Sequence, residues 1–371
     1  MQVLSEAPGR VNIIGEHTDY NLGFVLPIAI DKKMSLKATS RPDDVVNVYA
    51  QNLQETASFS INNLTPPIQS NWWDYLAGVC WVLQNEGYEL SGADINFGGD
   101  VPIGAGLSSS AALEVATAAA FSHLNALDIE PDRLAFFAQQ AENKYIGVQC
   151  GIMDQFASAL ARKNHALFID CRSLEYEHIP LNLTEHIFVI IDSQVKRSLA
   201  HSDYNRRREE CEEALSLIND HSHFSREALR DVTIEEINHL ASVLPQELYY
   251  RSRFVVEENQ RVLQTIEAFR SEDLNRVGAL MNDSHAGLRD LFAVSCPEVD
   301  LIVELAQNTE GVLGARMTGA GFGGCVVALA HEDFFEELKT RITEKTRGIT
   351  PREPILYTTP PAAGLNVKTI G

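Results

Sequence analysis

Basic residues are scarce in this chain. Its 371 residues carry 30 lysines and arginines against 51 aspartates and glutamates, a formal net charge of -21. So acidic a surface repels a nucleic-acid backbone or an anionic membrane, because affinity for either rests on neutralising phosphates. Neither is expected as a partner. Any phosphate the protein handles has to be held by local devices: backbone amides, a metal ion or a placed arginine.

Long apolar runs are also missing. The most apolar long stretch, Ala111 to Phe121, is broken by Glu114 and bounded by serines, far short of the roughly 20 residues of a membrane span. The six cysteines, at 80, 150, 171, 211, 296 and 325, form no C-x-x-C pair, so neither a zinc cage nor a redox motif is suggested. They read as buried thiols of a reducing compartment. Met1 to Glu6 lacks the basic start and apolar core of a secretory signal, so a cytoplasmic location is expected. Low-complexity tracts and fixed-period repeats are absent too, which argues against a solenoid or a disordered scaffold.

What is there is an ordinary globular composition in a chain too long for one ordinary core, so two domains are expected, divided near residues 178/179. Phe24–Ile30, Met34–Thr39 and Val45–Tyr49 read as strands, with Arg41-Pro42-Asp43-Asp44 as a turn. A helix is predicted over Trp72–Asn85, a strand over Ala93–Phe97, an alanine-rich helix over Ala111–Leu124, and another from Pro131 to about Tyr145. Ile187–Ile191 reads as a buried strand, followed by charged amphipathic helices that include Tyr204–Ile218 and Arg253–Phe269. Strands at Val312–Met317 and Cys325–Leu329 and a helix over 332–345 complete the chain. Strands and helices in this irregular order predict an α+β fold rather than a doubly wound sheet.

Three glycine-bearing segments carry the chemistry. Pro102-Ile103-Gly104-Ala105-Gly106-Leu107-Ser108-Ser109-Ser110-Ala111-Ala112 runs straight into a helix. Unpaired first-turn amides and the helix dipole make that junction a phosphate cradle; the bland alternative is a flexible turn with a serine N-cap. It lacks G-K-[ST], and Ser109 occupies the place of a third Rossmann glycine, so neither nucleotide motif applies. Gly319-Ala320-Gly321-Phe322-Gly323-Gly324 does spell G-x-G-x-x-G but precedes a strand pattern, leaving a hairpin loop or the wall of a cleft. Gly9-Arg10-Val11-Asn12-Ile13-Ile14-Gly15-Glu16-His17-Thr18-Asp19-Tyr20-Asn21 packs carboxylates, an imidazole and an arginine between apolar strands. Such residues suit sugar hydroxyls and a phosphoryl oxygen, although a polar connecting segment is more often a solvated loop. Asp154 stands alone in the nearly neutral Cys150–Phe156 and reads equally as a helix N-cap; Glu142 reads equally as a surface charge.

Together these segments resemble the galactokinases of the GHMP kinase superfamily over almost the whole chain. The Gly9–Tyr20 stretch resembles the family's signature, Gly104–Ala112 its phosphate loop, and Cys150–Phe156 its catalytic-acid segment. Asp170-Cys171-Arg172-Ser173-Leu174, Val294-Ser295-Cys296-Pro297-Glu298 and the third motif, Arg316–Cys325, are similar as well.

The resemblance implies a two-lobed fold, with a ribosomal-protein-S5 domain-2-like lobe (1–178) and a ferredoxin-like lobe (179–371), the active site lying between them. It implies Asp154 as catalytic aspartate and Arg10 beside the reacting oxygens. Glu16, His17, Asp19, Gly151 and Tyr204 would meet the sugar. Gly104, Ala105, Gly106, Leu107, Ser108, Ser109 and Ser110 would hold the ATP phosphates, Trp72 would line the adenine pocket, and Ser110 and Glu142 would be the ligands of Mg²⁺.

The expected reaction is ATP-dependent phosphorylation of galactose at its anomeric hydroxyl by a monomer. Many bacterial members of the family carry a longer segment before the signature, and its lack here is expected to bear on stability and nucleotide-pocket detail more than on activity. The alternatives are a kinase for N-acetylgalactosamine, arabinose or another sugar, and a non-catalytic galactose sensor. Sensors of that kind lack a dipeptide after the loop serines, and here Ala111-Ala112 is present.

Overall fold

The computed structural model describes residues 1–195, 200–222 and 224–371, and only the backbone of 200–202. The chain begins with β1 (Gln2–Asn12), β2 (Phe24–Val25), β3 (Pro27–Ser40), β4 (Val45–Ala50) and β5 (Glu55–Ser60), then α1 (Asp74–Asn85) and β6 (Ala93–Gly99). Next come α2 (Ser109–Leu124), α3 (Pro131–Gln140), a π-helical turn (Ala141–Ile146), α4 (Met153–Leu160), β7 (His165–Asp170) and β8 (Tyr176–Pro180). The second half holds β9 (His186–Asp192), α5 (Ala200–Asp220), α6 (Ile234–His239), α7 (Gln246–Arg270), α8 (Leu274–Asp290) and α9 (Pro297–Gln307). It closes with β10 (Val312–Thr318), β11 (Cys325–His331), α10 (Phe335–Thr346), β12 (Ile355–Thr359) and β13 (Asn366–Thr369). The fold is α+β. Among the described residues no helix is long and apolar enough to cross a membrane.

Among the described residues three sheets form: β13-β1-β3-β6-β4-β5, β10-β11-β9-β12 and β2-β7-β8. The last strand, β13, pairs antiparallel with β1, Leu4 opposite Lys368. Residues 24–30 and 34–39, expected as two strands, divide elsewhere: β2 joins the three-stranded sheet, and β3 runs unbroken from Pro27 to Ser40. Charged Asp31 to Lys33 do not end it, because backbone pairing with β1 continues from Leu36 back through Lys33 opposite Pro8.

Helix α2 lies on β1 and β3 and touches α1, α3 and α4. Every residue from Ala111 to Ser122 is buried, which explains a helix without a polar face. Alanines let its axis come close to the sheet, so the segment before it is held in place at its helical end.

The central strands of the four-stranded sheet are apolar on both faces. Phe188 and Ile190 of β9 and Val327 and Leu329 of β11 belong to the core shared with the six-stranded sheet. Their neighbours Val189, Ile191, Val326 and Ala328 belong to a second core under the C-terminal helices. Strand alternation thus puts one sheet between two cores and fixes the halves of the molecule against each other.

Helix α8 crosses β10 with glycine on both sides. A Cβ on Gly314 would stand 2.1 Å from the Gly278 carbonyl oxygen, and one on Gly278 would stand 2.2 Å from that of Leu313. Gly314→Ala is therefore expected to cost about 1–3 kcal/mol, as overpacking does. The check is urea unfolding: the midpoint should fall at unchanged slope, and an unchanged midpoint would show that the helix can lift away freely.

Candidate active site

The three glycine-bearing segments, parts of residues 142–154 and Tyr204 border one cleft of about 720 Å³. A second concavity, about 610 Å³, lies over the outer face of β4 to β6. Its polar side chains mostly bond one another, as Ser58 does with Asn47 and Asn47 with Asp94. Asp19 and Glu142, two carboxylates raised by burial, both border the first.

Ser108 is the N-cap residue of α2, but its backbone is left-handed (φ 61°, ψ 43°) and its side chain does not cap the helix. The simple serine-cap expectation therefore fails at this residue. Its hydroxyl instead donates to Asp154 Oδ2 at 2.5 Å. A non-glycine residue in this conformation carries strain of order 1–3 kcal/mol and persists where its surroundings hold it.

Arg10 projects from the end of β1 and meets Asp154 with both edges of its fork, Nε to Oδ1 at 2.6 Å and Nη2 to Oδ2 at 2.7 Å. Its Nη1 donates to the Gly106 carbonyl at 2.8 Å. Burial works against the Arg10 charge, but Asp154 and Glu16 more than offset it and raise the arginine's pKa. Asp154 lies in the first turn of α4. Strand, glycine-serine segment and helix are thereby joined at one carboxylate.

At the opposite end, Glu16 Oε1 accepts from the Gly319 amide at 2.8 Å and the Thr318 hydroxyl at 3.0 Å. Fully buried Arg316 lies 3.4 Å from the same oxygen and donates to the carbonyls of Asn12 and Ile13. These contacts latch the signature segment to the third glycine loop, which spans β10 and β11 as a cleft wall. The His17 ring packs between Phe292 and Tyr204, with centroids 4.8 and 5.5 Å away, and its Nδ1 meets the Tyr20 hydroxyl at 2.9 Å. Burial, with Arg207 adding to it, pushes the imidazole down to about 3. His17 is neutral at physiological pH.

Asp19 is pushed up to about 6 by burial and by Asp154. A Cβ on Gly151 would fall 1.9 Å from Asp19 Oδ2, so only glycine allows this approach. Tyr204 is held indirectly. One turn further along α5, Arg207 donates to the carbonyls of Phe292 and Ala293 and pairs with Glu210.

Glu142 lies in the π-helical turn that replaces the end of the helix expected to reach Tyr145. Its Oε1 is 3.5 Å from the Ser110 hydroxyl, and its Oε2 accepts from Gln155 Nε2 at 2.8 Å. Burial and the nearby Asp154 push its carboxyl up to about 7. Glu114, wholly buried, is raised well above the usual carboxylate range by burial and then by Glu142. A pair of crowded buried carboxyl groups beside a serine hydroxyl suits a cation. Trp72 borders the cleft and donates to Glu55 at 2.6 Å, whereas Trp73 stacks on Phe59.

All the residues anticipated from sequence except Ala105 border this cleft; Ala105 is buried behind it and its carbonyl accepts from the Cys325 thiol at 3.1 Å. Sequence reasoning missed Glu114 and Gln155. Glu114 had a usable signal, because it follows Ser110 by four residues and so shares its helix face. Gln155 had none beyond adjacency to Asp154.

In the unfolded chain Glu142 loses its proton near 4.5, and in the fold near about 7. Between those values the native state binds more protons, so this site's contribution to stability falls as pH rises through that window, and the penalty is complete above it. Glu142→Gln should raise stability at about pH 8 by up to about 3 kcal/mol and have little effect at about pH 4.5. Urea titrations at both pH values decide it; equal shifts would contradict a buried charge.

Comparison with known proteins follows the same geometry. Residues 2–38 match the profile described as the galactokinase galactose-binding signature, 74–162 the GHMP kinases N terminal domain, and 265–347 the GHMP kinases C terminal domain. A galactokinase of Roseiflexus sp. is 45% identical over 355 residues, covering 96% of this chain and 90% of its own. One of Thermotoga maritima is 42% identical over 343 residues, covering 92% and 93%. The crystal structure of Lactococcus lactis galactokinase complexed with galactose superposes with a TM-score of 0.94 at 34% identity, covering 98% of this chain and 95% of that one. Mevalonate kinase of Methanococcus jannaschii, at 19% identity and a TM-score of 0.69, shares the fold.

Proposed function

The chain belongs to the galactokinase family of the GHMP kinases, and we propose from its cleft how it moves the terminal phosphoryl group of ATP onto the anomeric hydroxyl of D-galactose. The observation that carries the reading is the Arg10–Asp154–Ser108 group. It places a carboxylate, a guanidinium and the start of a helix within hydrogen-bond reach of one another.

Phosphoryl transfer passes through a loose transition state, so positioning and charge neutralisation do most of the work. The amides of the 104–110 bend and the α2 N-terminus hold the triphosphate, a role that fits a helix start without a side-chain cap. Arg10 offsets charge on the moving group from its place beside Gly106 and Asp154. Asp154 takes up the proton of the anomeric hydroxyl as that oxygen bonds to phosphorus and ADP departs. A placed acid or base of this kind contributes typically ~10²–10⁴-fold.

Glu16, neutral His17, Asp19, the Gly151 backbone and Tyr204 receive the sugar hydroxyls. Trp72 forms a wall for the adenine. Ser110 and Glu142 would hold the magnesium of Mg·ATP. They fit it because small, hard cations are held by one or two carboxylates together with phosphate oxygens. The ion supplies charge neutralisation on the phosphates. The same reading takes the lobes as 1–178 and 179–371 and the protein as a cytoplasmic monomer. Six cysteines free of disulfides, five of them buried, support a reducing compartment.

Asp154→Asn should abolish transfer while galactose affinity stays within about tenfold, roughly 1.4 kcal/mol. Calorimetry alongside a coupled ADP assay reads both, and near-normal turnover would remove Asp154 from its role. Across a panel of sugars, galactose should give the fastest ADP release. Faster turnover of N-acetylgalactosamine or arabinose would transfer the assignment to that sugar, and galactose binding without ADP release would favour a sensor.

A further inference from the structure

Gln155 follows Asp154 on α4 but points to a different task. It is completely buried, and its Nε2 stands 2.8 Å from Glu142 Oε2 and 3.3 Å from Glu114 Oε2. A primary amide nitrogen carries two protons, so each carboxyl group receives one. The amide nitrogen, rather than its oxygen, is turned to the two acids.

Glu142 needs such a partner. It lies in a π-helical turn, one of its oxygens faces Ser110, and the other faces inward to Gln155 and the Cys150 thiol. Glu114 in turn fixes the far side of the amide from the middle of α2, where its neighbours are buried and rigidly packed.

We propose that Gln155 is the positioning residue that turns Glu142 Oε1 toward the Ser110 hydroxyl and so sets the two protein oxygens that meet the cation of Mg·ATP. The inference rests on the magnesium assignment above. Glutamine suits the place as a neutral donor. A lysine would install a rival cation, and a glutamate would add a third acid to a pocket that already buries two. Partners that orient a metal-bound carboxylate are worth ~10–100-fold in metal affinity.

The test measures ADP binding by calorimetry with Mg²⁺ and with EDTA, and galactose binding separately, in the wild-type protein and in Gln155→Met, which removes both donors at similar volume. The gain in ADP affinity conferred by Mg²⁺ should shrink by about tenfold or more, with metal-free ADP and galactose affinities within about threefold of wild type. A full Mg²⁺ gain in the variant would overturn the proposal, as would equal losses with and without metal. If Gln155→Met does not fold, Gln155→Asn, whose amide is one methylene short, should show the same selective loss and is judged the same way. A wild-type protein with no Mg²⁺ gain would sink both this proposal and the metal assignment. Galactose binding in the same samples judges the sugar-kinase reading on its own.

Discussion

The cleft is organised around the Arg10–Asp154 ion pair. Glu16, Asp19, Glu142 and Asp154 all border one cavity, and Glu114 is buried behind Glu142. In a protein with a net charge of -21, that is the worst place to bring a triphosphate unless a cation stands in the middle. Arg10 is that cation, and its three contacts reach the helix bearing Asp154 and the bend at Gly106. A fork-to-fork arginine–carboxylate pair fixes direction as well as charge.

The perturbed acids show how the remaining charge is managed. Asp19 and Glu142 are pushed toward neutrality by burial and by their neighbour Asp154, whereas buried Glu16 has Arg316, the Gly319 amide and the Thr318 hydroxyl facing it. Those partners tie Glu16 to the third glycine loop while it still borders the cleft. Strained Ser108 belongs to the same economy of place: its hydroxyl turns to Asp154, so the helix start is left for another anion.

Rigidity between the two halves comes from a sheet with two hydrophobic faces. Because β9 and β11 alternate between two cores, the third glycine loop at the end of β10 cannot shift without disturbing both. The Glu16–Arg316–Thr318 latch then holds that loop to the signature segment. Segment 291–294 adds a second anchor, since the Phe292 and Ala293 carbonyls accept from Arg207 and the Val294 carbonyl from the Phe322 amide.

The amino-acid sequence by itself determined the class of fold, most of the elements and the three segments that carry chemistry, because hydrophobic period, turn residues and glycine-rich bends act locally. It also marked Asp154 as a lone carboxylate in a nearly neutral segment, without separating a site residue from a helix cap, and left Glu142 readable as a surface charge. Only the tertiary structure shows that both acids border one cleft. Arg10 and Asp154 are 144 positions apart, and Thr318 and Glu16 are 302 apart. No local pattern encodes such pairs. Gln155 illustrates the point most sharply: its neighbour in sequence faces the substrate cleft, while its own amide reaches between acids of α2 and the π turn. The partner of a buried polar group is set by which helices pack together, and that packing is a property of the whole chain.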